Sequence, residues 1–194
     1  MKQYLNHSAI INWQHPAIQA VSVQLVGGLT DKTEIAKRCF EFVRDEIRHS
    51  FDYEVDKITL TASDVLLEKS GYCYAKSHLL AALLRANQIP AGLCYQRLSV
   101  YDDGAPFCLH GFNALYLEDV GWYRVDARGN KPGVNAQFAP PLESLAFSLS
   151  FPEECTFSEI WPEPLPLIVN VLTKHKDAGY KDVLNDLPDV EWLP

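Results

Sequence analysis

Beyond Pro90 the pattern of apolar and polar residues changes period. Before it, apolar residues recur every three or four positions; after it they alternate or run together. Residues 16–26, PAIQAVSVQLV, predict a helix stopped by Gly27-Gly28. Residues 30–47 predict a second, capped by Thr30 or Asp31, with Ile35, Cys39, Phe42 and Val43 on one face. RHSFDYEV predicts extended or irregular chain, and TASDVLLEKS a short helix started by Thr61 or Ser63. In the helix that follows, Leu79, Leu80, Leu83, Leu84 and Ala86 wrap most of the circumference, the mark of a buried helix. Pro90 ends it by turning Ile89 away from helical backbone. GLCYQRLSV, FCLHGFNALYL and GWYRVDA, rich in aromatic and branched residues and separated by turn formers, predict three antiparallel strands. ESLAFSLS offers a fourth and WPEPLPL an extended connector. LPLIVNVLTKHK predicts a last helix with Leu167, Ile168, Val171 and Leu172 on one side, and DVLNDLPDVEWLP is apolar enough to dock. Helices first and strands after, without alternation, predict an α+β fold, with N-terminal helices packed on an antiparallel β-sheet. The 194 residues suit a single domain, 1–194.

Composition narrows the function classes. A hydrophobic share of 47% against 22% charged residues supports a packed core. No stretch approaches the ~20 apolar residues that span a bilayer. The opening MKQYLNHSAIINWQHP lacks the charged lead and unbroken apolar run of a signal peptide, so a soluble cytoplasmic protein is expected. A net charge of −8 without a basic cluster speaks against nucleic acid or a membrane surface as partner. The five cysteines are odd in number, irregularly spaced and lack a C-x-x-C pair, which argues against a disulfide framework and a zinc ribbon. Each is then a small core hydrophobe or a reactive thiol.

One of them stands out by position. In SGYCYAKSHLLAALLRAN, Cys73 opens the buried helix. A cysteine attacks as its thiolate, and a free thiol titrates near ~8.5. The positive end of a helix lowers that value, and a nearby imidazole can take the proton. His78 lies on the same helix but points away from Cys73; His7, His15, His49 and His175 fall in terminal or exposed-looking segments. His110 lies inside a strand, sharing a face with Phe112, Ala114 and Tyr116. Trp122, Arg124 and Asp126 share a face of the next. A hairpin with a loop of three or five residues sets His110 and Asp126 on one face, as direct or diagonal neighbours. The chain thus offers a nucleophile, a base and an orienting carboxylate in the order Cys73, His110, Asp126.

These segments resemble the transglutaminase-like superfamily, which shares the papain-type cysteine catalytic core. The likeness is carried by SGYCYAKSHLLAALLRANQIPAGL, HGFNALYL and GWYRVDA, with FEFVRDEIRHSFDY as the helix and strand before the cysteine; it spans roughly residues 35–130 and leaves a C-terminal extension, 150–194. The resemblance implies acyl transfer from an amide, with Cys73 as nucleophile, His110 as base and then acid, and Asp126 as orienter. The acceptor is water in a peptidase or amidase and an amine in a transglutaminase. The substrate would be a peptide, a protein or a small amide, and no cofactor or metal is implied. The Cys73 N–H is one candidate for oxyanion stabilisation and Tyr53 a second. Many members carry Trp where this chain has Phe112, and Pro or Thr where it has Ala127-Arg128.

Plainer readings stand beside these. Asp126 could pair with Arg124 or Arg128 instead of His110. Cys108, on the His110 face, could line the site or be the reactive thiol, and Cys73, Cys108, His110 and Asp126 could together hold a metal. A catalytically silent module that binds a peptide or protein, using VEWLP and the aromatic strands, is the rival to the enzyme. Oligomeric state is not legible.

Overall fold

The computed structural model describes residues 1–192. Its first third is helical for local reasons. Helix α1, Pro16–Val26, begins with proline at its first turn and ends at Gly27 in left-handed backbone (φ 52°), where glycine costs least. Helix α2, Lys32–Glu46, is capped by Asp31, whose carboxylate accepts the N–H groups of Thr33 and Glu34. A two-residue strand β1, Arg48–His49, follows. Helix α3, Ala62–Glu68, starts with a reciprocal capping box between Thr61 and Asp64. Strand β2, Ser70–Gly71, pairs with β1 in parallel and delivers the chain to helix α4, Cys73–Ala86.

Helix α4 is the axis of the molecule. Every residue from Cys73 to Arg85 is buried, and the helix packs against α1, α2 and α3 on one side and the sheet on the other. Its apolar leucines were expected inside; Arg85 was not. The Arg85 guanidinium donates to the carbonyls of Asn6, Ala91 and Pro162, so its charge is spread over three segments far apart in sequence.

The sheet is formed by β3 (Ala91–Ser99), β4 (Phe107–Leu117), β5 (Gly121–Val125) and β8 (Cys155–Thr156), in the order β5-β4-β3-β8 and antiparallel throughout. The expected fourth strand is therefore a correction. Of ESLAFSLS, only its beginning is extended, in β7 (Leu142–Ser144), which pairs with β6 (Gln137–Ala139) as a separate hairpin. The remainder packs near β4, as described below. The place beside β3 goes to Cys155–Thr156, whose chain continues alongside until Trp161 exchanges backbone bonds with Leu93. Helix α5, Pro166–Lys174, buries Ile168, Val171 and Leu172 as expected, but it is not the last; α6, Tyr180–Leu184, follows. Among the described residues, no helix is long and apolar enough to cross a membrane.

Candidate active site

Two glycines bring the site together. A Cβ on Gly71 would lie 3.0 Å from Thr59 Oγ1 and 3.2 Å from Ala75 Cβ, so a side chain in the turn into α4 would push its neighbours aside. A Cβ on Gly111 would lie 2.8 Å from Tyr74 Cδ1. Gly111 therefore lets the first turn of α4 rest directly on β4, one residue from His110. The Tyr74 hydroxyl donates to the Leu109 carbonyl on the other side of that histidine. Cys73 and His110 meet at this contact and face the same cleft, close enough for the Cys73 sulfur to act on the charge of the His110 ring.

Asp126 completes the arrangement. The β4–β5 hairpin turns through Glu118, Asp119 and Val120, with Leu117 opposite Gly121. Asn113 pairs with Val125, which sets His110 diagonal to Asp126. His110 Nε2 and Asp126 Oδ2 are 2.7 Å apart. Asp126 is fully buried, and its carboxylate also accepts the N–H groups of Arg128 (3.1 Å) and Ala146 (3.2 Å). Neither arginine side chain competes for it. The Arg124 guanidinium donates to the carbonyls of Phe157 and Ser158, and that of Arg128 binds Asp52 through two bonds of 2.6 and 3.0 Å.

Charge follows from this geometry. Burial alone would hold the His110 imidazole neutral, but the Asp126 carboxylate and the Cys73 sulfur push its pKa up to about 10. Burial likewise opposes ionisation of Asp126, and the His110 charge and hydrogen bond outweigh it, holding that carboxyl below its ordinary value. With Nε2 engaged by Asp126, a protonated ring keeps a second N–H donor on Nδ1. It is walled by Phe112, stacked at 6.2 Å, and by Phe147, edge-on at 5.0 Å. Helix α4 has no side-chain cap at Tyr72, and its first backbone bond runs from the Lys76 N–H to the Tyr72 carbonyl. The N–H groups of Cys73, Tyr74 and Ala75 thus have no acceptor within the helix.

A cleft of about 470 Å³ opens on Cys73 and His110. Cys108 lines it, with burial pushing its thiol up to about 12, which keeps it protonated at neutral pH. Phe112 backs the imidazole but does not line the cleft. Tyr53 is 64% exposed and faces a neighbouring cleft of about 870 Å³, away from Cys73. Among the described residues, no group of three or more His, Cys, Asp or Glu is arranged to hold a metal ion.

Sequence reasoning missed two contributors. His49, taken as exposed, is buried, lies edge-on to Tyr72 at 5.6 Å and lines both clefts. Burial and the Arg128 charge lower its pKa well below the usual imidazole value, so it is neutral. The only signal was its place just after the helix that precedes the cysteine segment. Ala146 and Phe147, assigned to a strand, instead close over Asp126 and His110. His78 is also buried, with its Nδ1 2.8 Å from the Leu60 carbonyl.

A helix-borne thiol set against antiparallel strands in this way belongs to the papain-like cysteine-enzyme folds. More narrowly, the chain belongs to the transglutaminase-like superfamily, whose family model matches residues 19–127. Among solved structures it is similar to a candidate cysteine protease from Cytophaga hutchinsonii, at 18% identity and a TM-score of 0.51, covering 64% of this chain and 40% of that one. It is also similar to the periplasmic domain of TgpA from Pseudomonas aeruginosa, at 19% identity and a TM-score of 0.44, covering 64% of this chain and 45% of that one. This chain thus spans less than half the length of either structure. No curated protein matches the sequence.

Proposed function

We propose that the protein is a cysteine-dependent acyl-transfer enzyme acting on amide or peptide bonds, with water as the usual acceptor. The observation that carries this is the grouping of Cys73, His110 and Asp126, with the His110 imidazole on a buried carboxylate and facing the same cleft as the Cys73 sulfur. The Cys73 sulfur attacks the carbonyl carbon, forming a C–S bond and an oxyanion. As the oxyanion collapses, the C–N bond breaks and His110 gives its proton to the departing amine. Water then attacks the thioester, passing a proton to His110 and releasing the acid and Cys73. Asp126 holds the ring and balances its charge throughout. The Cys73 N–H is an oxyanion donor in this reading. The neutral imidazole of His49, on the wall of the same cleft, is the second, in the place expected for Tyr53.

Alkylation of the folded protein across pH, followed cysteine by cysteine, tests the pairing. Cys73 should react rapidly at pH ~5.5, where an ordinary thiol is inert. The rapid phase should vanish in His110→Ala. A Cys73→Ala protein that cleaves a peptide-amide panel as fast as wild type would sink the proposal.

A further inference from the structure

The C-terminal segment takes hold of the site's own elements. Beyond Asn113 toward its start, β4 has lost β5 as a neighbour, leaving a free edge beside His110. There the Leu109 N–H donates to the Pro188 carbonyl at 2.8 Å. Leu187 forms part of the wall of the Cys73 cleft. Asp189 binds the Arg97 guanidinium through two bonds of 2.6 and 2.7 Å. Further back, the Tyr72 hydroxyl, next to the nucleophile, donates to the Tyr180 carbonyl. Leu187-Pro188-Asp189, without regular secondary structure, therefore places an apolar side chain on the cleft wall, a carbonyl on a strand edge and a carboxylate on an arginine. Backbone bonding to a strand edge and a side chain in a pocket are how a sheet edge recognises a peptide; the Asp189–Arg97 pair adds a charged anchor. Cys73 beneath is only 8% exposed.

We infer that Leu187-Pro188-Asp189 occupies in cis the subsite of an extended peptide substrate, one that sets an acidic side chain on Arg97, and that it must leave for such a peptide to bind. The inference rests on the acyl-transfer reading above. The segment is suited to leaving: most of it is half-buried or exposed, and it has no regular secondary structure after α6. Arg97 is held whether or not the tail is present, since its guanidinium also donates to the Glu153 carbonyl and lies over the Phe107 ring.

The test is Cys73 alkylation in the full chain carrying Asp189→Lys, with and without a synthetic LNDLPDVEWLP peptide. Alkylation should rise about tenfold, as when an open state of roughly one-tenth occupancy becomes dominant. The added peptide should slow it again, and the same peptide with Asn for its second Asp should protect less. The double variant Arg97→Glu with Asp189→Lys should react at the wild-type rate, because the anchor is restored with its charges exchanged. Alkylation indifferent to Asp189→Lys, or raised without any protection by the peptide, overturns the inference. Failure of the acyl-transfer reading looks different: Cys73 would then be slow at pH ~5.5 in every variant, whatever residue stands at 189.

Discussion

His110 carries a charge in a place where charge is expensive, and Asp126 is the reason it can. Asp126→Ala should cost about 3 kcal/mol in urea unfolding, because a buried partner loses its counter-charge. The pH dependence has a worked sign. The folded pKa of His110 is raised from 6.5 to about 10. Its contribution is therefore complete below about 6.5 and lost as pH rises through about 10. Asp126 is lowered from 3.8, so its contribution is present above that value and lost as pH falls through the lower folded one. The gap in stability between wild type and Asp126→Ala should be widest between about pH 4 and 6.5 and close toward pH 10. His49 gives a separate kinetic signature. His49→Phe keeps a ring against Tyr72 and removes the donor, so turnover on a peptide amide should fall about a hundredfold while Cys73 alkylation stays unchanged. The meeting of Cys73, His110 and Asp126 was legible because Cys73 opens a regular helix, His110 lies within a strand, and Asp126 follows one residue after β5, so the periods of these elements fix their directions. His49 was not, because its burial comes from a two-residue parallel bridge that has no period to read.

At the scale of elements, the contact between α4 and β4 governs the site. Gly111→Ala would place a methyl carbon 2.8 Å from a buried tyrosine ring. It should cost about 1–3 kcal/mol as overpacking. It should also lower the acid-pH reactivity of Cys73, because the helix start moves away from His110. Comparing urea unfolding with alkylation at pH ~5.5 separates the two effects. Helices α1, α2 and α3 were readable to within a residue or two, since capping residues and glycine stops are local chemistry. The fourth strand was not. Cys155–Thr156 is a strand only because the returning chain runs along β3, and two residues carry no alternation. ESLAFSLS alternates well enough to suggest a strand, yet its later part spends its backbone and aromatic groups on Asp126 and His110.

Across the whole molecule, Arg85 ties the N-terminal segment at Asn6 and the returning chain at Pro162 to the central helix. Arg85→Ala should lower global stability by about 3 kcal/mol, since the buried carbonyl of Ala91 and the part-buried ones of Asn6 and Pro162 lose a charged donor. Hydrogen exchange should quicken around residues 4–7 and 160–163 before it quickens within the sheet. The VEWLP end of the expected docking tail reaches outside the described residues at 193 and 194. Of the part described, Val190 packs against the core and Trp192 is 76% exposed. The all-round burial of α4 also bears on how such a chain would drift over generations. Residues 74–85 are held by folding alone, whatever the protein does. Cys73 sits at their margin, with 8% of its surface open. A lineage that abandoned turnover would keep the helix letter for letter and lose only its first residue. Serine or alanine at 73 above an unchanged helix would be the fossil of a retired enzyme.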